Sequence, residues 1–162
     1  MRDKTTETLA QRQMRLHLET TCSKVIRNFV HHHRPRCDVT LLVFNYGADD
    51  YSNVAYCTSL PMREMIDALL ALLARWENAG SARVLHDRET QGWLPDELEI
   101  QDYARTIEKS LPEDIGFSLL CGKGERTQYI AKGDREGVAE MLRADLLPGL
   151  RKDLERINTI NP

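Results

Sequence analysis

Long apolar runs are missing from this sequence. Nothing in its 162 residues approaches the ~18 consecutive apolar residues that a membrane-spanning helix needs. The polar opening Met1-Arg2-Asp3-Lys4 lacks the apolar core of a signal peptide, so the expected location is the cytoplasm, with no membrane partner. Closely spaced thiols are missing too. Cys22, Cys37, Cys57 and Cys121 form no C-x-x-C unit, and in a reducing compartment they read as free, packed thiols. No H-E-x-x-H, Walker, paired-carboxylate or Ser-His-Asp pattern stands out. No catalytic residue and no cofactor are therefore assigned. Strong net charge is also absent: the balance of −3 and a pI near 6.0 argue against a nucleic-acid-binding domain.

What is present is the composition of a globular domain, 41% apolar and 29% charged. A chain of this length removes roughly 70% of its unfolded surface from water, enough to hold a core without staples. Charge is unevenly spread. The first 36 residues are basic, with Arg12, Arg15, Lys24, Arg27, Arg34 and Arg36 among them, while residues 81–115 are acidic. Both segments read most simply as solvated faces.

Periodicity predicts a first helix over about residues 6–31, with Met14, Leu18, Cys22, Val25 and Phe29 on one stripe. His31, His32, His33 and Arg34 suit the negative end of its dipole, and Pro35 stops it. Val39–Asn45 and Ser52–Thr58 read as a hairpin around Tyr46-Gly47-Ala48-Asp49-Asp50. A Leu-rich helix follows over about Pro61–Asn78, its apolar stripe wide enough for cover on more than one side. Residues 80–93 read as a linker. A third helix is expected over Pro95–Ser110, ended by Pro112. A second hairpin pairs Ile115–Cys121 with Arg126–Ala131 around Gly122-Lys123-Gly124-Glu125. Asp134 is a good N-cap for a last helix, which Pro148-Gly149 must kink or break.

The two halves echo each other. Thr40-Leu41-Leu42-Val43 matches Ser118-Leu119-Leu120-Cys121, and Tyr56 followed by Arg63-Glu64 matches Tyr129 followed by Arg135-Glu136. The expected architecture is a single α+β domain over 1–162. Repeat units spanning about 5–79 and 94–158 each contribute helix, strand, strand and helix. A hairpin is marginal alone, so the two should join as one antiparallel four-stranded sheet packed with helices.

Tyr56-Cys57-Thr58-Ser59-Leu60-Pro61-Met62-Arg63-Glu64-Met65-Ile66 resembles a unit of small phage and prophage proteins. There a strand ending Tyr-x-Ser-Asn precedes a helix opening Arg-x-Asp-Met-Ile. The resemblance covers about 40 residues, Val39 to Asn78, and the chain departs from it at Leu60-Pro61. It implies a mobile-element origin and carries no activity with it.

Among candidate functional residues, Arg63 and Arg135 each stand where a strand hands over to a helix N-terminus. Free backbone N–H groups there favour anions, and a guanidinium adds a forked donor. Tyr56 and Tyr129 lie just upstream, so the four form candidate paired sites for a nucleotide or another anion; an exposed Arg-Glu pair with half-buried tyrosines is the competing reading. His31, His33 and Cys37 offer metal-ligand chemistry. Consecutive helical residues, however, point about 100° apart and cannot chelate one ion together, so no metal is assigned. The leading functional expectation is a non-enzymatic protein-interaction module, homodimeric and acting on a host protein. A small-ligand sensor is the alternative, and an enzyme assembled from distant segments the third.

Overall fold

The computed structural model describes residues 8–45, 54–77, 94–124, 126–133 and 135–160. Helix α1 runs Leu9–His33. Thr8 caps it: its hydroxyl accepts from the Gln11 N–H at 3.2 Å while the Gln11 side chain accepts from the Thr8 N–H at 3.0 Å. Arg34 leaves the helix in the left-handed region, which the following Pro35 favours by disallowing a further helical residue. The helix thus starts and ends later than its apolar stripe suggests.

Strands β1 (Val39–Asn45), β2 (Val54–Thr58), β3 (Ile115–Lys123) and β4 (Arg126–Lys132) form one antiparallel sheet in the order β2-β1-β3-β4. The two hairpins join through their first strands, which therefore lie at the centre. That position explains why Val39–Phe44 reads as an unbroken buried run instead of an alternating one, since both faces of a central strand are covered. The register sets Leu41 against Leu119 across the seam. It also sets Leu42 against Tyr56 in one hairpin and Leu120 against Tyr129 in the other. Residues that the sequence halves equate thus occupy equivalent places in the sheet.

The second hairpin turns more tightly than expected. Its strands extend to Lys123 and Arg126, which face each other, leaving two residues between them. Gly122 adopts φ 114°, and any Cβ there would collide with the Arg126 carbonyl oxygen.

Helices cover both faces. Helix α3 (Glu97–Ser110), capped by the Asp96 carboxylate accepting from the Glu99 N–H at 2.8 Å, lies with α1 on one face. There Leu18, Cys22, Val25 and Phe29 meet Leu41, Val43, Phe117, Leu119 and Ile107. The other face holds α2 (Met62–Glu77), α4 (Arg135–Met141) and α5 (Leu147–Ile160), packed on Leu42, Phe44 and Leu120. Here α2 crosses towards the opposite half. Its Trp76 ring sits edge-on to Tyr129 at 5.6 Å, and Arg75 donates to the Thr127 carbonyl.

Pro148 does not break the last helix. The chain stays helical from Arg135 to Ile160, and the irregularity falls upstream as a π turn over Leu142–Leu146, with the Leu147 N–H bonding back to the Leu142 carbonyl. Pro148 has no N–H for the Ala144 carbonyl and its ring would crowd it, and a wider turn relieves both problems. The tips Tyr46–Asn53, the linker 80–93 and Asp134 lie outside the described residues. Among the described residues, no helix is long and apolar enough to cross a membrane.

Candidate functional site

The sheet separates the two candidate anion sites. Tyr56 and Tyr129 project on the same face, but β2 and β4 are the two edges, so three strand spacings, on the order of 14 Å, lie between them. Each ring is half-buried and packs into the core beneath a helix. Burial, and then the Asp153 carboxylate of α5, push the Tyr56 phenol above its usual pKa. Arg63 is exposed in the first turn of α2 and Arg135 opens α4. With Tyr56 and Tyr129 on opposite edges, any anion binding at these ends would occur at two separate sites.

The histidines part company as helical geometry demands. His31 and His32 are exposed, whereas His33 turns inward. Its Nε2 meets Thr106 Oγ1 at 2.7 Å, and its ring packs against Tyr103 at 4.7 Å and Phe29 at 5.2 Å. Burial and the neighbouring His32 hold its pKa below the ordinary value, against the pull of Asp102. Among the described residues, no group of three or more His, Cys, Asp or Glu side chains could hold a metal ion.

Sequence reasoning missed a gathering of thiols on the α1/α3 face. Cys22 donates to the Leu41 carbonyl at 3.6 Å, and Leu41 faces Cys57 across the hairpin. Burial, and the Cys57 thiol beside it, push Cys22 far above the usual thiol pKa. Cys37 and Cys121 form a second pair. The residues that follow them are tied together, with the Gly122 N–H donating to the Asp38 carbonyl at 2.8 Å. Cys37 is half-buried and Cys121 is buried. The neighbouring Cys121 thiol, as a donor, lowers the Cys37 pKa despite partial burial, and the same coupling together with burial raises that of Cys121. Tyr103 closes this corner, its phenol pushed up to about 12 by burial, with Glu99 and the two thiols adding to the effect. The only sequence signal for these pairs was that Cys57 and Cys121 fall in strands; their partners follow from the packing.

Among the described residues, the opposite face carries a concave surface. A groove of about 270 Å³ runs between α2 and α5, with Leu70, Leu73 and Leu147 along it and Glu77, Arg143 and Arg151 at its sides. Arg143 is ion-paired with Glu77. The wide apolar stripe of α2 is otherwise used up inside the fold: Met65, Ile66, Leu69, Leu72, Leu73 and Trp76 are buried by the sheet and by α5. Of the stripe's flank only Leu70 remains open, at 38% exposure. Comparison with protein-family models, with curated proteins and with solved structures finds no match to the chain.

Proposed function

We propose that this protein is an interaction module that binds another protein through the groove between α2 and α5. The observation that supports it is the groove's make-up, leucines flanked by Arg151 on one side and by the Arg143–Glu77 ion pair on the other. Such a surface suits an apolar helix or strand segment carrying acidic residues, the helix-in-groove mode of recognition. The partner in this reading is a protein of the host in which a mobile element resides. The excess apolar surface of α2 expected to drive association is mostly covered by α5, so the contact is the narrower strip around Leu70.

The test uses two exposed positions. Leu70→Asp places a charge in the strip, and Arg151→Glu reverses the flank. Both variants should keep the wild-type thermal midpoint, while affinity capture from a bacterial lysate with mass spectrometry loses the protein that wild type retains. Light scattering on the same samples reads self-association, and a dimer that both substitutions dissociate makes the partner a second copy. A wild-type monomer that captures nothing, or capture and mass unaffected by either substitution, overturns the proposal.

A further inference from the structure

We propose that Cys37 and Cys121 are an oxidation-sensitive thiol pair, with Cys37 taking oxygen from a hydroperoxide and Cys121 closing the disulfide. The site stands on the seam between the halves. Asp38 and Gly122 are locked by the 2.8 Å bond, and Cys121 faces Val39 in the register, so Cys37 and Cys121 sit diagonally to each other and pack into the same cluster on the α1/α3 face. A disulfide needs an S–S separation of about 2.05 Å and Cα atoms roughly 4.4–6.8 Å apart. Because Cys37 lies in a bend outside the strand, only its own short segment has to move to close that gap.

The two members differ as the chemistry requires. The nucleophile must be reachable, and Cys37 is the half-buried member, in a bend just ahead of β1. The resolving thiol must be close and need not be reachable, and Cys121 is fully buried. Cys22, by contrast, is buried and donates to the Leu41 carbonyl, which leaves the Cys22–Cys57 pair the poorer substrate.

The Cys37 thiolate attacks one peroxide oxygen. The S–O bond forms, the O–O bond breaks, and the departing oxygen takes a proton and leaves as water or an alcohol. Cys121 sulfur then attacks the sulfenic sulfur of Cys37, so that S–S forms and S–O breaks. The hydroxyl leaves with the Cys121 proton as a second water. Two thiols are oxidised by two electrons and one peroxide is reduced.

The full chain treated with one equivalent of hydrogen peroxide tests this. Digestion without reductant should yield a cross-linked peptide joining Cys37 to Cys121, formed about tenfold faster than any product at Cys57 or Cys22. In Cys121→Ala the reaction should stop at Cys37 sulfenic acid, captured by a dione reagent. If Cys121→Ala does not fold, the wild-type peptide map alone decides, with urea-unfolded chain as the reference in which the preference for Cys37 disappears. A Cys22–Cys57 cross-link formed first, or equal oxidation of all four thiols in folded protein, overturns the proposal.

Discussion

Leu41 and Leu119 face each other across the β1–β3 seam, and both side chains are wholly shut off from solvent. They are also the residues that the two sequence halves equate, so any two-fold axis relating the halves passes between them. Truncating either should cost about 2–5 kcal/mol, the range for a buried Leu→Ala change. The pair face each other in one core cluster, so Leu41→Ala and Leu119→Ala should not add in the double variant. Urea denaturation of the three variants gives the coupling directly, and simple additivity would show that the two do not act as one contact.

The two hairpins are not equally satisfied. In the first, the Thr40 and Thr58 hydroxyls meet at 2.7 Å. At the matching place in the second, Ser118 faces Ala131, and Ser118 Oγ is buried without a hydrogen-bond partner among the described residues. Ala131→Thr should supply the missing hydroxyl and exceed Ala131→Val in stability by about 1 kcal/mol. The valine control removes the effect of β-branching on strand stability. Equal thermal midpoints for the two variants would refute the account.

Gly116 should not tolerate even alanine. Phe44 faces it across the seam, and a Cβ at Gly116 would overlap the Phe44 ring and approach the Lys132 carbonyl to 2.8 Å. A Cβ at Gly133 would likewise stand 3.0 Å from that ring, so the ring is closely packed by backbone. Gly116→Ala is expected to destabilise by roughly 1–3 kcal/mol or more. Phe44→Leu in the same chain should recover part of the loss, as read by denaturation midpoints.

Acid should weaken the α1–α3 contact. His33 has a folded pKa below its ordinary value of about 6.5, so the unfolded chain binds the proton more readily. The contribution of neutral His33 is complete above about pH 6.5 and is lost as pH falls from there through the lower folded pKa. His32 opposes protonation and Asp102 favours it. Thermal melts between pH 7.5 and 5 should show a smaller drop for His33→Gln, which can keep the link to Thr106, than for wild type. Identical pH profiles would remove His33 as the cause.

Much of the fold was legible because periodicity and punctuation agreed. Leu18, Cys22, Val25 and Phe29 marked the inner face of α1, and Leu41 to Phe44 marked a strand, though not that both its faces are buried. The joining of two hairpins followed from the instability of each alone. The Pro148 effect was misplaced because the strain it causes is relieved a turn earlier, over Leu142–Leu146. The width of the α2 stripe announced cover on a second side, but that α5 supplies it was invisible because it depends on the helix path after that turn. The thiol contacts were hidden for a similar reason. Cys37 meets Cys121 only through the β1–β3 register, and nothing in local spacing encodes that register. The candidate residues Tyr56, Arg63, Tyr129 and Arg135 were legible as a repeated pattern, but the strand order that places Tyr56 and Tyr129 on opposite edges was not.

The strand order β2-β1-β3-β4 also sets the tempo of folding. Each hairpin closes over a short stretch of chain and can form in roughly 1–10 μs. The β1–β3 seam joins strands with the whole of α2, the linker and α3 between them, and its cost must be met before Leu41 and Leu119 reward it. Seam closure is therefore the slow event, and substitutions at Leu41 or Leu119 should retard refolding more than those at Tyr56 or Tyr129. Doubling the length of the connecting segment adds only about 0.6 kcal/mol to loop closure. Insertions into residues 80–93 should therefore leave refolding rates nearly unchanged, and the seam's own packing, rather than the length of the connection, governs how fast the two halves find each other.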